Sequence, residues 1–324
     1  MFSWWMVPGP DGAELASFDV ATPQPGPGEV LVTVRAAGVN RGELLAKPLL
    51  RADRGAARQP SGVEFAGEVA ALGAGVTAWA VGDRVMGRGS GCHAEAVVAA
   101  ARALMAVPDG WSWAQAGATP NVFVTAHDAL FSAGRLAAGE AVLVTAGASG
   151  VGVAALQLAA WADAGTVLAT TRQPHKAPAL RALGATDVIV TTSDDWVRRV
   201  RDACGGVQLV VDQVGGSLFP GLLRCLALQG RYVSVGRNDA TTSTIDLDLL
   251  ARQRLELIGV TFRTRTAEEA LRCSERFADD CLRALRDGAL RAVVDRTFPL
   301  RELPAAHAYL ASDARVGKVV LLAP

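Results

Sequence analysis

The sequence predicts an α/β chain of two domains. A doubly wound parallel sheet spans residues 121–265, and a mainly β domain is assembled from residues 1–120 and 266–324. Three observations carry this reading. Between Glu140 and Gly259 short apolar segments alternate with amphipathic ones, as in a parallel sheet covered by helices on both faces. Before about residue 110 apolar and polar residues alternate between glycine and proline breaks, the pattern of half-buried strands. Finally, Gly147, Gly150 and Gly152 in LVTAGASGVGVAAL lie between an apolar strand and a helix, as in a dinucleotide-binding turn. The 324 residues suffice for two domains, each with its own core.

Taken in order, EVLVTVRAAGV (29–39) puts Val30, Val32 and Val34 on one face and Leu31, Thr33 and Arg35 on the other, after the breaker run TPQPGPG. FAGEVAALGAG and GDRVMGRG are further short strands between glycine turns. Ser112 and Gln115 have capping-box spacing, and TPNVFVTAHDALFSAG then reads as a helix stopped at Gly134. The candidate strands of the parallel sheet are AVLVTA, TVLATT, DVIV, LVVDQV, RYVSVG and LELIGV, with helices such as GVAALQLAAWA and KAPALRALG between them. TAEEALRCSERFADDCLRALRDG is a long helix, capped by Thr266 with Glu269 and stopped at Gly288. The segment from RTFPL to GKVVLL returns to β.

Composition narrows the function. Lys+Arg and Asp+Glu are both 32, so no general charge favours nucleic acid or an anionic membrane as partner. Cys92, Cys204, Cys225, Cys273 and Cys281 are scattered, odd in number and free of C-x-x-C, which argues against a disulfide framework or a zinc lobe. Reduced thiols of a cytoplasmic protein fit this pattern. The apolar start MFSWWMVPGPDG lacks a basic flank and is cut by Pro8 and Gly9, unlike a signal peptide. No run reaches the roughly 18 uncharged apolar residues of a membrane span.

The glycine order is G-x-x-G-x-G rather than G-x-G-x-x-G, but the physics is shared: bare backbone N–H groups at a helix N-terminus can meet a pyrophosphate. The next strand ends in Thr170, Thr171 and Arg172, with Lys176 beyond, where an Asp or Glu would hold the ribose hydroxyls of NAD. An absent acid and two cations suit a 2′-phosphate, hence NADPH. Either cation alone could equally serve to solvate a helix start.

PGPGEVLVTVRAAGVN, SGVEFAGEV, VGDRVMG, TAGASGVGVAALQLA, ALGATDVIV, VVDQVGG, GRYVSVG and FPLRELPAAHAYL with GKVVLL occur in one order. Over nearly its whole length the chain thereby resembles the medium-chain dehydrogenases/reductases, and within them the zinc-free quinone oxidoreductase (zeta-crystallin-like) branch. The resemblance implies a Rossmann domain for NADPH, a GroES-like catalytic domain, an active site in the cleft between them, and a homodimer joined through LELIGV. Zinc members carry a cysteine after the early strand, a G-H-E histidine and a four-cysteine lobe. Here the first two places read GVNRGE and GVE, with Val63 in the histidine's place, and the lobe is missing. No metal is therefore expected, and zinc-assisted alcohol oxidation is not. Cys92 and His93 in GCHAE are expected to pack, pointing to opposite faces, and His127 and His307 to be structural among apolar neighbours. His175 falls in a cofactor-side loop.

The same resemblance implies that Asn40 lies beside the nicotinamide and helps position the substrate carbonyl, and that Thr125 meets the nicotinamide amide or ribose. Gly150, Val151 and Gly152 would form the pyrophosphate turn, and Thr171, Arg172 and Lys176 the phosphate-selecting loop. Gln213, Val235, Gly236 and Arg237 fall where adenosine and ribose contacts occur, and Phe262 and Arg263 approach the nicotinamide. Two departures stand out. Thr191 replaces a tyrosine near the 2′-phosphate, and the N-x-x-D-x-x-x-R pattern becomes Asn40, Glu43 and Lys47. Lys47 could supply charge to a developing oxyanion, or serve as a surface lysine. Arg51, Arg54 and Arg58 follow it, with no tyrosine proton donor, so water is left to complete proton transfer. The expected activity is NADPH-dependent reduction of a small quinone or α,β-unsaturated carbonyl. The alternatives are an enoyl reductase acting on carrier-protein or coenzyme A thioesters, whose phosphates the arginines would suit, and a non-catalytic NADPH-binding protein.

Overall fold

In a computed structural model, which describes residues 1–10, 12–46 and 57–324, the chain opens with the antiparallel pair β1 (Phe2–Gly9) and β2 (Gly12–Asp19). β3 (Glu29–Val39), α1 (Arg41–Ala46), β4 (Gln59–Pro60), β5 (Glu64–Leu72), β6 (Arg84–Arg88), β7 (Ala96–Ala100) and β8 (Leu104–Ala106) follow. Then come α2 (Trp113–Gly117) and α3 (Pro120–His127). The parallel region runs β9 (Ala141–Val144), α4 (Gly150–Trp161), β10 (Thr166–Thr171), α5 (Ala177–Arg181), β11 (Asp187–Val190), α6 (Trp196–Cys204), β12 (Val207–Asp212), α7 (Phe219–Cys225), β13 (Leu226–Ser234), α8 (Leu247–Gln253) and β14 (Glu256–Gly259). The chain closes with α9 (Ala267–Arg286), β15 (Val294–Pro299), α10 (Leu303–Ala311) and β16 (Lys318–Leu322). Two compact units result: Met1–Val122 with Leu271–Pro324, and Phe123–Ala270. Lys47, Arg51 and Arg54 lie outside the described residues.

In the first unit the described strands of the main sheet run β15-β16-β3-β5-β6-β8, with β7 also paired to β3. The alternation in β3 has the predicted effect. Val30, Val32 and Val34 are buried with Phe65, Val69 and Val85, while on the other face Thr33 and Arg35 are only half-buried but Leu31 is buried as well. Each such valine contributes about 1.5–3 kcal/mol relative to exposure. Register matters more for function. β16 runs antiparallel to β3 with Val319 opposite Val39, and β5 pairs β3 with Ala66 opposite Ala36. Lys318 and Glu64, at the ends of these strands, therefore arrive beside the end of β3.

The second unit has the order β11-β10-β9-β12-β13-β14, all pairings parallel. These six strands are the ones read from the sequence, with AVLV and TVLATT adjacent. All four residues of β9 are buried because helices cover both faces. The helix expected to end at Gly134 does so in two pieces. After α3 it widens into a π-helical turn over Asp128–Ala133, closed by Gly134 N–H donating to the Ala129 carbonyl at 2.9 Å. The capping box of α9 forms as predicted, with Thr266 N–H donating to Glu269 Oε2 at 2.7 Å and Glu269 N–H to Thr266 Oγ1 at 3.2 Å. Among the described residues no helix is long and apolar enough to cross a membrane.

Candidate functional site

The glycine turn lies between β9 and α4. Ser149 caps the helix, its Oγ accepting from Gly152 N–H at 3.0 Å and donating to Gln213 Oε1 at 2.8 Å. A Cβ on Gly152 would overlap the carbonyls of Ala146 and Gly147, so only glycine lets the helix start so close to the turn. Ala146 sits at φ 47°, a left-handed conformation unusual for a residue with a Cβ, and its N–H is held by Thr170 Oγ1 at 3.2 Å. Gly150, Val151 and Gly152 are the first residues of α4, where backbone N–H groups lack helical partners and an anion is favoured.

β10 ends in buried Thr170 and Thr171, and exposed Arg172 follows. Thr191, after β11, lies beside them, its N–H donating to the Thr171 carbonyl at 3.0 Å. Arg172 is near enough to Asp239 to help hold its carboxyl below the usual range, after the larger effect of hydrogen bonds from Ser217. Lys176, unlike Arg172, is packed into the protein. It is only 4% exposed, so its position is fixed by packing as well as by charge.

Gln213 braces the turn from β12. Its Nε2 donates to the Thr145 carbonyl at 3.0 Å, and its own carbonyl accepts from Asn238 Nδ2 at 2.7 Å. Beside it, fully buried Asp212 accepts from Thr145 Oγ1 at 2.6 Å, from Val214 and Gly215 N–H at 2.9 Å each, and from the Tyr232 hydroxyl. Burial, then the Asp212 charge, pushes the Tyr232 phenol well above its ordinary value, so it stays a neutral donor. Val235 and Gly236 donate to the Asp212 carbonyl at 2.7 and 3.1 Å, which carries Arg237 to the same end of the sheet. Phe262 and Arg263 follow β14, and the Arg265 guanidinium lies 4.6 Å over the Phe262 ring while pairing with Asp128 at 2.7 Å. Thr125 lies in α3, 9% exposed.

The first unit holds a buried polar cluster around Asn40. Asn40 Oδ1 accepts from Lys318 Nζ at 2.8 Å and from Asn121 Nδ2 at 3.0 Å, while its Nδ2 donates to Glu64 Oε1 at 2.9 Å. Lys318 also reaches the Glu64 carboxylate at 2.6 Å and the Val39 carbonyl at 3.0 Å. Glu64 Oε2 accepts the backbone N–H of Asn121 at 2.8 Å, and Arg88 Nε donates to Asn121 Oδ1 at 3.2 Å. Gly38 makes room for this, since a Cβ there would run into the Glu64 carboxylate. Glu43 Oε1 accepts the Asn40 backbone N–H at 3.2 Å, and its Oε2 meets His307 Nε2 at 3.3 Å and His93 Nε2 at 3.9 Å. Burial favours a protonated Glu43, but the imidazoles of His93 and His307 and the Lys318 ammonium outweigh it, holding the carboxyl below its ordinary range. Burial likewise pushes His93 below the usual imidazole value.

One expectation changes here, while Cys92 and His93 do face opposite ways. His307 is buried against a carboxylate rather than among apolar neighbours alone. His93 bonds Ser61 Oγ at 2.9 Å within the polar cluster, while Cys92 turns into the hydrophobic core with its thiol pushed far up by burial. Arg58 lies 4.8 Å over the Trp5 ring and 5.1 Å over Phe18. The places of Lys318, Glu64 and Asn121 were missed; the only trace of the first two in the sequence is a charge opening each of the apolar runs KVVLL and EFAGEV, and Asn121 leaves none. The donor set does not fit zinc. The positions read as family ligands hold Asn40, whose oxygen is on Lys318, and apolar Val63, and no metal-binding group of three His, Cys, Asp or Glu occurs among the described residues.

The chain matches the alcohol dehydrogenase GroES-like domain family over residues 26–109 and the zinc-binding dehydrogenase family over residues 183–321. It is 38% identical over 301 residues to the spectinabilin polyketide synthase system protein NorB of Streptomyces orinoci, covering 92% of this chain and 13% of that protein. The chain thus spans only a small part of the polyketide synthase it matches. Among solved structures, mycobacterial Rv1454c complexed with NADPH is 32% identical with a TM-score of 0.85, covering 99% of this chain and all (100%) of that one. The quinone oxidoreductase of Pseudomonas syringae pv. Tomato DC3000 is 27% identical with a TM-score of 0.87 over 99% and 100%. The CurK enoyl reductase is 25% identical with a TM-score of 0.83 over 99% of both chains. With a GroES-like unit, a six-stranded parallel Rossmann sheet and similarity to these solved structures over nearly its whole length, the chain belongs to the medium-chain dehydrogenase/reductase superfamily.

Proposed function

We propose that the protein is an NADPH-dependent, zinc-independent reductase of quinones or α,β-unsaturated carbonyls. The observation that carries this reading is the end of β10, where Thr170, Thr171 and Arg172 stand in place of a carboxylate beside a turn that only glycine can form. Gly150, Val151 and Gly152 would hold the pyrophosphate, and Thr171, Arg172 and Lys176, with Thr191 alongside, the 2′-phosphate. Gln213, Val235, Gly236 and Arg237 would line the adenosine and ribose, and Thr125, Phe262 and Arg263 the nicotinamide. When bound, NADPH supplies a hydride to an electron-poor carbon. The acceptor's π electrons then shift onto its carbonyl oxygen, and water delivers the proton that completes reduction.

The chain's contribution is to stabilise that oxygen. Asn40 has one amide N–H committed to Glu64. Its Nδ2 otherwise makes only long contacts, 3.3 Å to the Gly38 carbonyl and 3.4 Å to Glu43 Oε1, so its second N–H can turn to a substrate. The Lys318 ammonium on its oxygen polarises the amide and strengthens it as a donor. Lys47 remains a candidate for added charge. A second reading, reduction of enoyl thioesters, is favoured by the 38% identity to a polyketide synthase against 27% to the quinone oxidoreductase. NADPH oxidation should be followed with a quinone, an enone and an enoyl-coenzyme A, beside elemental analysis for zinc. Turnover of the quinone or enone without stoichiometric zinc supports the first reading. Turnover confined to the thioester supports the second. Inertness to all three with tight NADPH binding leaves a binding protein.

A further inference from the structure

We infer that Asn121 is a second substrate-facing amide donor, one that meets the same carbonyl oxygen as Asn40 and is fixed by Arg88. This rests on the reading of the site as a carbonyl-activating reductase. The Asn121 carboxamide has four hydrogen-bonding positions. Its oxygen accepts from Arg88 Nε at 3.2 Å, and one N–H donates to Asn40 Oδ1 at 3.0 Å. The second N–H has no partner among the described residues, although Asn121 is half-buried and its neighbours Glu64, Lys318 and Glu43 are all tied up.

The arrangement leaves no choice of amide flip. A guanidinium can only donate, so Oδ1 must face Arg88 and Nδ2 must face Asn40. The same logic fixes Asn40, whose oxygen faces the Lys318 ammonium and whose nitrogen faces the Glu64 carboxylate. Two carboxamides thus stand side by side, each with its oxygen on a cation and each with one N–H not firmly held. Charge on the oxygen withdraws electrons from the amide nitrogen and makes the remaining N–H a stronger donor. Such a pair suits an oxygen that gains charge during the reaction more than a neutral carbonyl, which is the condition for raising the rate rather than only tightening binding. The backbone N–H of Asn121 is separately anchored on Glu64 Oε2 at 2.8 Å, so the chain path here does not depend on the side chain.

The test is Asn121→Leu, with Asn121→Ala as a second variant should the larger side chain prevent folding. For an enone, kcat should fall about ten- to a hundred-fold while NADPH affinity, read by cofactor fluorescence, stays within about two-fold. For a quinone, whose reduced oxygen is intrinsically better stabilised, the fall should be several-fold smaller. A merely structural role would lower both acceptors equally, in step with the folded fraction, and that result overturns the inference, as does an unchanged kcat. A turnover-independent readout separates this from failure of the functional reading. 4-Nitrophenolate, a stable oxyanion, should bind the NADP⁺-loaded wild type at least about ten-fold more tightly than the variants. If the wild type reduces nothing yet shows this difference, the functional reading falls and the donor stands. If the phenolate binds all forms alike, or binds none, the donor is refuted.

Discussion

Lys318 and Glu64 form an ion pair 3% and 0% exposed, a geometry whose worth depends on both partners being present. Removing one leaves a desolvated charge, at a cost of about 3–5 kcal/mol, whereas replacing both with neutral groups of similar shape is often near neutral. Lys318→Met should therefore lower unfolding stability in urea by about that amount, and Lys318→Met with Glu64→Gln should recover most of it. Additive losses in the double variant would show that the two charges do not compensate each other. Acid should act on the neighbouring group. The folded pKa values of His93 and Glu43 both lie below their ordinary values, 6.5 and 4.5. Between folded and unfolded values the unfolded chain binds more protons, so stability rises with pH there. Both contributions are complete above about pH 6.5. The melting temperature should fall first as pH drops below that value through His93, then further below 4.5 through Glu43, and His93→Asn should remove the first step. A melting temperature flat from pH 7 to 5 would contradict this. Asn40 was legible because a short motif carries it. Lys318 and Glu64 were not, since only strand register across β16, β3 and β5 brings a residue near position 318 to one near position 40, and Asn121 joins them from the start of α3.

At the scale of elements the sequence was informative wherever one local rule decides the structure. Capping boxes at Ser112 and Thr266 began helices as read, because they satisfy orphan N–H groups locally. The six parallel strands were visible as apolar runs, since a strand buried on both faces needs little else. The π-helical turn before Gly134 was not visible, as nothing in DALFSA distinguishes i→i+5 from i→i+4 bonding. The end of β10 belongs to this scale, because the strand, the turn and α5 together place the cations. Arg172 is exposed, so the charge-assisted bond proposed from it to a 2′-phosphate, nominally about 1.5–3 kcal/mol, would be reduced by screening. Lys176 is buried and screened less. NADPH should bind about ten- to a few hundred-fold more tightly than NADH, a difference of about 1.4–3.5 kcal/mol. Arg172→Ala should lose part of this for NADPH and leave NADH unchanged in a titration at one ionic strength. Equal wild-type affinities for the two cofactors would refute the assignment.

For the whole molecule, one edge of the parallel sheet matters for assembly. β14 pairs with β13 on one side only, and the described strands offer no neighbour on the other. Leu257 on that strand is 43% exposed, and with Ile258, Ile245 and Phe219 it borders a cavity of about 420 Å³. An apolar edge of this kind invites pairing with a second strand, and natural proteins either charge it or cover it. Here the charge is partial. Glu256 is paired with Arg135 at 2.6 Å and opens the strand, while Leu257 and Ile258 carry none. A two-fold axis beside β14 would pair it with its own copy and continue the sheet across both subunits, burying the same patch twice. We therefore expect a homodimer of twice 33.6 kDa in sedimentation at micromolar concentration. Leu257→Arg should shift it to monomer, because an isologous interface brings each introduced charge close to its twin. Circular dichroism should be unchanged, since Leu257 is not part of either subunit's buried core. A wild type that sediments as a monomer would refute the edge as an interface, and a Leu257→Arg dimer would place the contact on another face.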